Sequence, residues 1–152
     1  MAKYWLMKTE PDVFSIDDLQ SKKESLWDGV RNYQARNFMM NDMKVGDQVL
    51  FYHSNAEPPG VAGLAVVAAP ATPDPSQFLK KSEYYDAKAT EQKPIWFCVK
   101  VGFIKKFKRT ISLAELRDQA PLKDMLLLKK GQRLSIQPVT EEEFSWICNL
   151  AK

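Results

Sequence analysis

Gln48-Val49-Leu50-Phe51-Tyr52-His53, then Ser54-Asn55-Ala56-Glu57-Pro58-Pro59-Gly60, then Val61-Ala62-Gly63-Leu64-Ala65-Val66-Val67-Ala68-Ala69 is the stretch that decides the fold. In its first part Val49 and Phe51 fall on one face of an extended chain, and Leu50 and Tyr52 on the other. The middle part has the composition of a loop. The third part is strand-like, with Gly63 marking a bulge or the close approach of another backbone. Gly46-Asp47 ahead of it is a turn signal.

Working outward, Tyr4 to Lys8 reads as a first strand closed by Thr9-Glu10-Pro11. Ser15 with Asp18 has the form of a helix N-cap, opening a short helix through Leu19. Ser21 to Ser25 reads as a polar loop. Asn32 stands where a helix could start, and Phe38, Met39 and Met43 predict one from about Tyr33 to Met43. Pro70 to Pro75 is expected to be irregular, and Ser82 to Lys93 is polar, with Tyr84 and Tyr85 its only large rings. Ile95 to Phe107 reads as a long strand bent near Gly102. Ser112 with Glu115 forms a capping-box pattern, Leu122 to Leu128 is a short apolar segment ended by Gly131, and Leu134 to Val139 alternates as a final strand. Thr140 with Glu143 repeats the capping box before a last helix, in which Phe144, Ile147, Cys148 and Ala151 share one side. The pattern is about five strands with short helices between them and no regular βαβ alternation. It predicts an α+β fold, a small mixed β-barrel with peripheral helices, as one domain over residues 1–152.

The 152 residues suffice for one domain with a real core. A chain 45% hydrophobic and 27% charged is expected to fold. A net charge of +3 permits binding to a polyanion without demanding it. No apolar run approaches the roughly 20 residues of a membrane helix, and Met1 to Trp5 begins a strand-like pattern rather than a signal peptide. Cys98 and Cys148 match no zinc or redox spacing, and with His53 the single histidine no metal site is expected. A reducing, cytoplasmic compartment follows as the expectation.

The functional pointer is Trp27-Asp28-Gly29-Val30-Arg31-Asn32-Tyr33-Gln34-Ala35-Arg36-Asn37. A large flat ring, side-chain amides and guanidinium forks are what hold an unpaired base and its phosphate. Trp27 lies in a polar, glycine-containing loop, where a tryptophan can stack on a base or simply pack in the core. Asn32 can help hold a phosphate at a helix start or act only as an N-cap. Arg31 and Arg36 can grip phosphate or solvate the surface. Trp5 and Trp146 read as packing residues, and Trp96 is open. The run Lys105-Lys106, Lys108-Arg109 is more economically a solvated face than a nucleic-acid path. Adjacent in a strand, His53 and Ser54 point to opposite faces and make no triad. Nothing resembles paired carboxylates, a metal cluster or a nucleophile motif, so the chain reads as a non-enzyme without a cofactor. The enzymatic alternative, a nucleotide or amide hydrolase, would draw on Lys8, Glu10, Asp28 and His53.

Four separated motifs then read together: Tyr4 to Pro11, Trp27 to Asn37, Gly46-Asp47 with Phe51 to Asn55, and Leu134 to Thr140. In this order they resemble the EVE domain family over nearly the whole chain. The resemblance implies the fold shared by PUA and YTH domains, a small β-barrel with flanking helices. YTH domains hold N6-methyladenine in an aromatic cage, and EVE domains are regarded as readers of modified bases, 5-methylcytosine and its oxidised forms foremost. Carried onto this chain, the resemblance implies a pocket of Lys8, Thr9, Trp27, Asn32, His53 and Ser54, extended by Tyr52 and Gln137, with Arg31, Arg36 and Lys8 holding adjacent phosphates. It implies a nucleic-acid partner, DNA or RNA, carrying a modified base, with nuclease or helicase proteins as possible companions of a monomer. An ordinary PUA-type RNA-binding module is the alternative. Thr9 departs from the serine frequent in the family, keeping the hydroxyl and adding a methyl group to the pocket. Pro70 to Lys93 matches no motif and is a candidate pocket rim.

Overall fold

The computed structural model describes residues 2–152. Six strands, β1 (Tyr4–Thr9), β2 (Glu24–Leu26), β3 (Gln48–His53), β4 (Gly60–Pro73), β5 (Phe97–Ser112) and β6 (Ile136–Val139), form one mixed sheet in the order β2-β5-β4-β3-β1-β6. Four α-helices, α1 (Ile16–Lys22), α2 (Tyr33–Asn37), α3 (Leu113–Arg117) and α4 (Glu141–Leu150), complete an α+β fold. The end strands β2 and β6 do not pair with each other, so the sheet stays open where a barrel would close.

β1 and β3 pair in parallel, Tyr4 opposite Gln48 through Thr9 opposite His53, and the other pairings are antiparallel. A parallel pair needs a long crossover, and here it carries α1 and α2 across one face of the sheet. Alternation in β1 and β3 divides the core. Trp5, Met7, Val49 and Phe51 join Leu19, Trp27 and Met39 on one face. Leu6, Leu50 and Tyr52 join Leu116, Phe144 and Ile147 on the other. Both sheet faces are therefore covered, as the two apolar faces of Gln48 to His53 allow.

The Gly46-Asp47 turn does more than reverse the chain. The buried Asp47 carboxylate accepts from the Lys3 and Lys44 backbone N–H groups and from the Trp5 indole N–H, each at 2.9 Å. It thereby joins the start of β1 to the start of β3. Gly46 at φ +96° supplies the backbone conformation that lets the carboxylate turn inward.

Several elements differ from the sequence expectations. Glu24–Leu26, expected to begin within a loop, is an edge strand, because Glu24, Ser25 and Leu26 pair with Gly102, Val101 and Lys100 of β5. A three-residue edge strand carries no periodic signal. The helix expected from Tyr33 to Met43 is α-helical only to Asn37 and continues as a π-turn over Phe38–Asp42. β4 runs on to Pro73 through the prolines expected to be irregular, at places where its register with β5 shifts. β5 extends to Ser112, and Leu122 to Leu128 runs from the end of one 3₁₀ turn, Ala120–Leu122, through a second, Leu126–Leu128. The capping boxes at Ser15–Asp18 and Thr140–Glu143 both form. At Ser112 only half does, because the Glu115 carboxylate pairs with Arg109 at 2.6 and 3.0 Å. Gly63 marks both a bulge and a close approach: a Cβ there would run into the Lys105 carbonyl oxygen.

Replacing Asp47 with alanine leaves three donors without their shared acceptor. Asp47→Ala is expected to cost about 3 kcal/mol in urea unfolding, with a rise in Trp5 fluorescence exposure at lower denaturant.

Candidate functional site

The end of β1, α1, β2 and the 27–31 loop surround an open cavity of about 890 Å³, within the range of small-molecule sites. Its wall brings together Thr9, Trp27, Asp28 and Tyr84 with the cations Lys8, Lys22, Arg31 and Lys100 and the acids Glu10 and Glu24. Rings, hydroxyls and charges of both signs give it the means to hold a flat polar ligand bearing an anion.

Trp27 is only 7% exposed. Its indole packs edge-on against Phe51 at 5.5 Å and Phe14 at 6.4 Å, and its backbone N–H donates to the Val99 carbonyl at 2.9 Å. The ring is thus part of the core and also part of the cavity wall. Such a ring offers a fixed surface whose position the core determines.

Arg31 turns inward. Its Nη1 bonds Asp74 Oδ2 at 3.2 Å and the Val30 carbonyl, Nη2 bonds Ser76 Oγ and the Tyr84 carbonyl, and Nε bonds the Tyr84 carbonyl again. The five N–H donors of a guanidinium are matched by these five contacts. The group also lies over the rings of Tyr84 and Trp96 at 5.5 and 5.1 Å. Asp74, buried, accepts in addition from the Gly29 N–H at 2.8 Å and from the Ser76 N–H and hydroxyl. The donors expected to grip phosphate are taken up by protein acceptors, so in this structure the Arg31 side chain is a clamp between the 27–31 loop and the segment after β4. Arg36 is held in the same way by the Ile95 carbonyl at 2.9 Å, by Asn37 Oδ1 and by the Tyr33 ring.

The segment from Asp74 to Trp96 is latched by Gln77, which is fully buried. Its amide nitrogen donates to the Asp74 and Trp96 carbonyls, and its oxygen accepts from the Ile95 and Trp96 N–H groups. Trp96 stacks on Tyr33 at 4.8 Å and donates from its indole to Asp86. This latch delivers Tyr84 to the cavity wall, so the motif-free segment does form part of the rim. Gly29 is required there, with φ +80° and a hypothetical Cβ 2.7 Å from the Tyr84 ring.

The EVE domain model matches residues 3–150. The chain belongs to the EVE domain family. Human thymocyte nuclear protein 1 is 45% identical over an alignment covering 99% of this chain and 74% of that protein. A crystal structure of the human protein with DNA containing 5-methylcytosine superposes with a TM-score of 0.91 at 46% identity, covering 99% of this chain and 98% of that one. A hypothetical protein from Leishmania major superposes with a TM-score of 0.95 at 48% identity, covering 99% and 95%.

Of the residues that the EVE motifs imply, Lys8, Thr9, Trp27 and Arg31 line the cavity. The Thr9 hydroxyl donates to the Phe14 carbonyl at 3.0 Å, leaving its lone pairs free. Lys8 sends its ammonium to 5.9 Å from the Tyr52 ring, and burial pulls its pKa below the ordinary lysine value. Asn32, Arg36, Tyr52, His53, Ser54 and Gln137 stand outside the cavity wall. Asn32 is the α2 N-cap, its Oδ1 accepting from the Ala35 N–H at 2.9 Å. Tyr52 packs in the second core, where burial pushes its hydroxyl pKa up. Ser54 donates its backbone N–H to the Thr9 carbonyl, supporting the cavity from behind. Gln137, opposite Leu6, donates to the Leu134 carbonyl, and its buried Oε1 has no partner among the described residues. Tyr84, Lys22 and Lys100 are wall residues outside the four motifs, and Asp28 is a motif residue to which the resemblance gave no pocket role.

Neither cysteine is primed for chemistry: burial, aided by Asp74, pushes the Cys98 thiol up to about 12, and burial raises Cys148 too. The basic run on β5 behaves as a solvated face, with Lys106 paired to Asp17 at 2.7 Å and Arg109 to Glu115 in exposed pairs. Trp146, read as a packing residue, is 39% exposed on α4 with its indole N–H donating to Gln119.

Removing the Arg31 guanidinium leaves Asp74 buried without its cation. Arg31→Ala is expected to lower unfolding free energy by about 3 kcal/mol, measured by denaturant titration, and Arg31→Lys to recover little because an ammonium cannot reach all five acceptors. His53 accepts the Ile16 N–H at Nε2 (3.1 Å), which requires the neutral ring. Burial pushes its pKa below 6.5, Lys106 acting in the same direction and Asp17 opposing. The unfolded chain thus binds the proton more readily, and the contribution is present above the unfolded pKa and lost as pH falls through the folded one. Unfolding free energy between about pH 7 and about pH 5 is expected to fall less in His53→Gln than in the parent protein.

Proposed function

We propose that this chain reads a modified base in nucleic acid, holding a flipped base of 5-methylcytosine type in the cavity beside Trp27. The observation that carries the reading is the cavity itself: a rigid indole, the free acceptor lone pairs of Thr9, and Tyr84 share one wall, large enough for a nucleobase. The human relative seen with 5-methylcytosine DNA, alike over 99% of this chain, supports the ligand class. Taking a base out of its stack costs a few kcal/mol, which the ring surface and edge hydrogen bonds must offset.

In this reading Trp27 and Tyr84 contact the base faces, Thr9 meets its edge, and Lys22 and Lys100 attract the flanking phosphates. Asn32, His53, Ser54, Tyr52 and Gln137 hold the wall in place from behind. Arg31 and Arg36 fix the loop that carries Trp27. The reading assigns these wall residues to recognition and gives none of them a reacting role.

The test is an anisotropy titration at one salt concentration, with duplexes that differ in a single cytosine or 5-methylcytosine. Binding of the modified duplex is expected to be at least about tenfold tighter, with Trp27→Phe narrowing the gap. Equal affinity for both, with a steep salt dependence, would instead describe a reader of phosphates alone. Preference for RNA of the same sequence would redirect the reading to a PUA-type module.

A further inference from the structure

Three acidic side chains face the cavity, and they are not equivalent. Glu10 accepts from the Asn55 amide at 3.2 Å, and Glu24 belongs to the exposed edge strand β2. Asp28 alone adjoins Trp27 in sequence, and its exposed carboxylate meets its own backbone N–H but no side-chain hydrogen-bond partner among the described residues. It is nevertheless held firmly. The residue before it is pinned by the Trp27 N–H to Val99 carbonyl bond at 2.9 Å, and the residue after it by the Gly29 N–H to Asp74 bond at 2.8 Å. A carboxylate with lone pairs left over, on a backbone anchored at both sides, is preorganised for a ligand.

We propose that the Asp28 carboxylate reads the base edge, accepting a hydrogen bond from the exocyclic amino group of a cytosine-type base held beside Trp27. The proposal rests on the base-reading function above and adds what that function leaves open, the selection of the base itself. Cytosine presents an N4 amino donor where thymine presents an O4 acceptor. A site that senses only the 5-methyl group confuses 5-methylcytosine with thymine, because both carry it. A carboxylate separates them. It gains a hydrogen bond from the amino group, whereas a carbonyl oxygen would leave it desolvated, unpaired and facing lone pairs. Partial burial, followed by the charge of the buried Asp74, raises the Asp28 pKa, with Arg31 and Lys22 opposing. A more basic carboxylate is the better acceptor.

The deciding experiment compares duplexes that carry 5-methylcytosine, cytosine or thymine at one position opposite guanine, titrated against the parent protein, Asp28→Asn and Asp28→Ala, with thermal unfolding as the control for folding. The parent is expected to prefer 5-methylcytosine over thymine by about tenfold or more, although the thymine mismatch is the easier base to flip. Asp28→Asn, whose amide can present either a donor or an acceptor, is expected to bring the ratio to about threefold or less, and Asp28→Ala to weaken 5-methylcytosine binding. A folded Asp28→Asn that keeps the parent's ratio, or a parent protein that prefers 5-methylcytosine to cytosine yet binds thymine equally, overturns the assignment of Asp28 alone. A parent protein indifferent to the 5-methyl group overturns the reading of the site and this proposal with it.

Discussion

The arrangement of the site depends on one ion pair, Arg31 with Asp74, at 3.2 Å. Asp74 is a carboxylate removed from water, and such a group persists only when its lone pairs are matched. Here the Gly29 N–H, the Arg31 guanidinium and the Ser76 N–H and hydroxyl match them. Because the donors come from two segments distant in the chain, satisfying the charge also fixes the 27–31 loop against the segment after β4. Trp27, Asp28 and Tyr84 take their places around the cavity as a consequence. The wall is thus held by electrostatics on one side and by the Trp27 contacts with Phe51 and Phe14 on the other.

Beneath it, the sheet supplies a rigid base for the same reason twice over. Asp47 gathers three N–H donors at the starts of β1 and β3, as Asp74 gathers its donors at the cavity. The parallel pairing of β1 with β3 places Thr9 beside His53. His53 then caps α1 through the Ile16 N–H, and Ser54 bonds the Thr9 carbonyl. Residues of the third EVE motif therefore act one step away from the cavity, positioning those of the first.

How far the sequence is legible varies with the range of the interaction. The two faces of β3, the capping boxes at Ser15 and Thr140 and the close approach at Gly63 are local or periodic, and they read correctly. β2 is not legible in the sequence, because three residues at a sheet edge have no period of their own and form a strand only by pairing with β5. The continuation of β4 through Pro70 and Pro73 was missed because local proline chemistry argues against a strand, while register shifts along the β5 ladder accommodate it. Of the cavity wall, Lys8, Thr9 and Trp27 occupy motif positions, whereas Tyr84 lies in a segment with no pattern and enters through the Gln77 latch.

By itself the sequence determined the strands with alternating faces, the capped helix starts, the α+β class and membership of the EVE family, because these rest on neighbours within a few residues or on motifs preserved in order. Only the tertiary structure decided which polar groups remain available to a ligand. Arg31 and Asp28 stand three positions apart in the same motif and both carry full charges. Arg31 meets partners 43 to 53 residues away and has no donor to offer, while Asp28 meets no side-chain partner among the described residues and faces the cavity. The physical reason is that a hydrogen-bonding group is used up by whatever the fold brings within about 3 Å of it, and that distance is not written in the order of the residues.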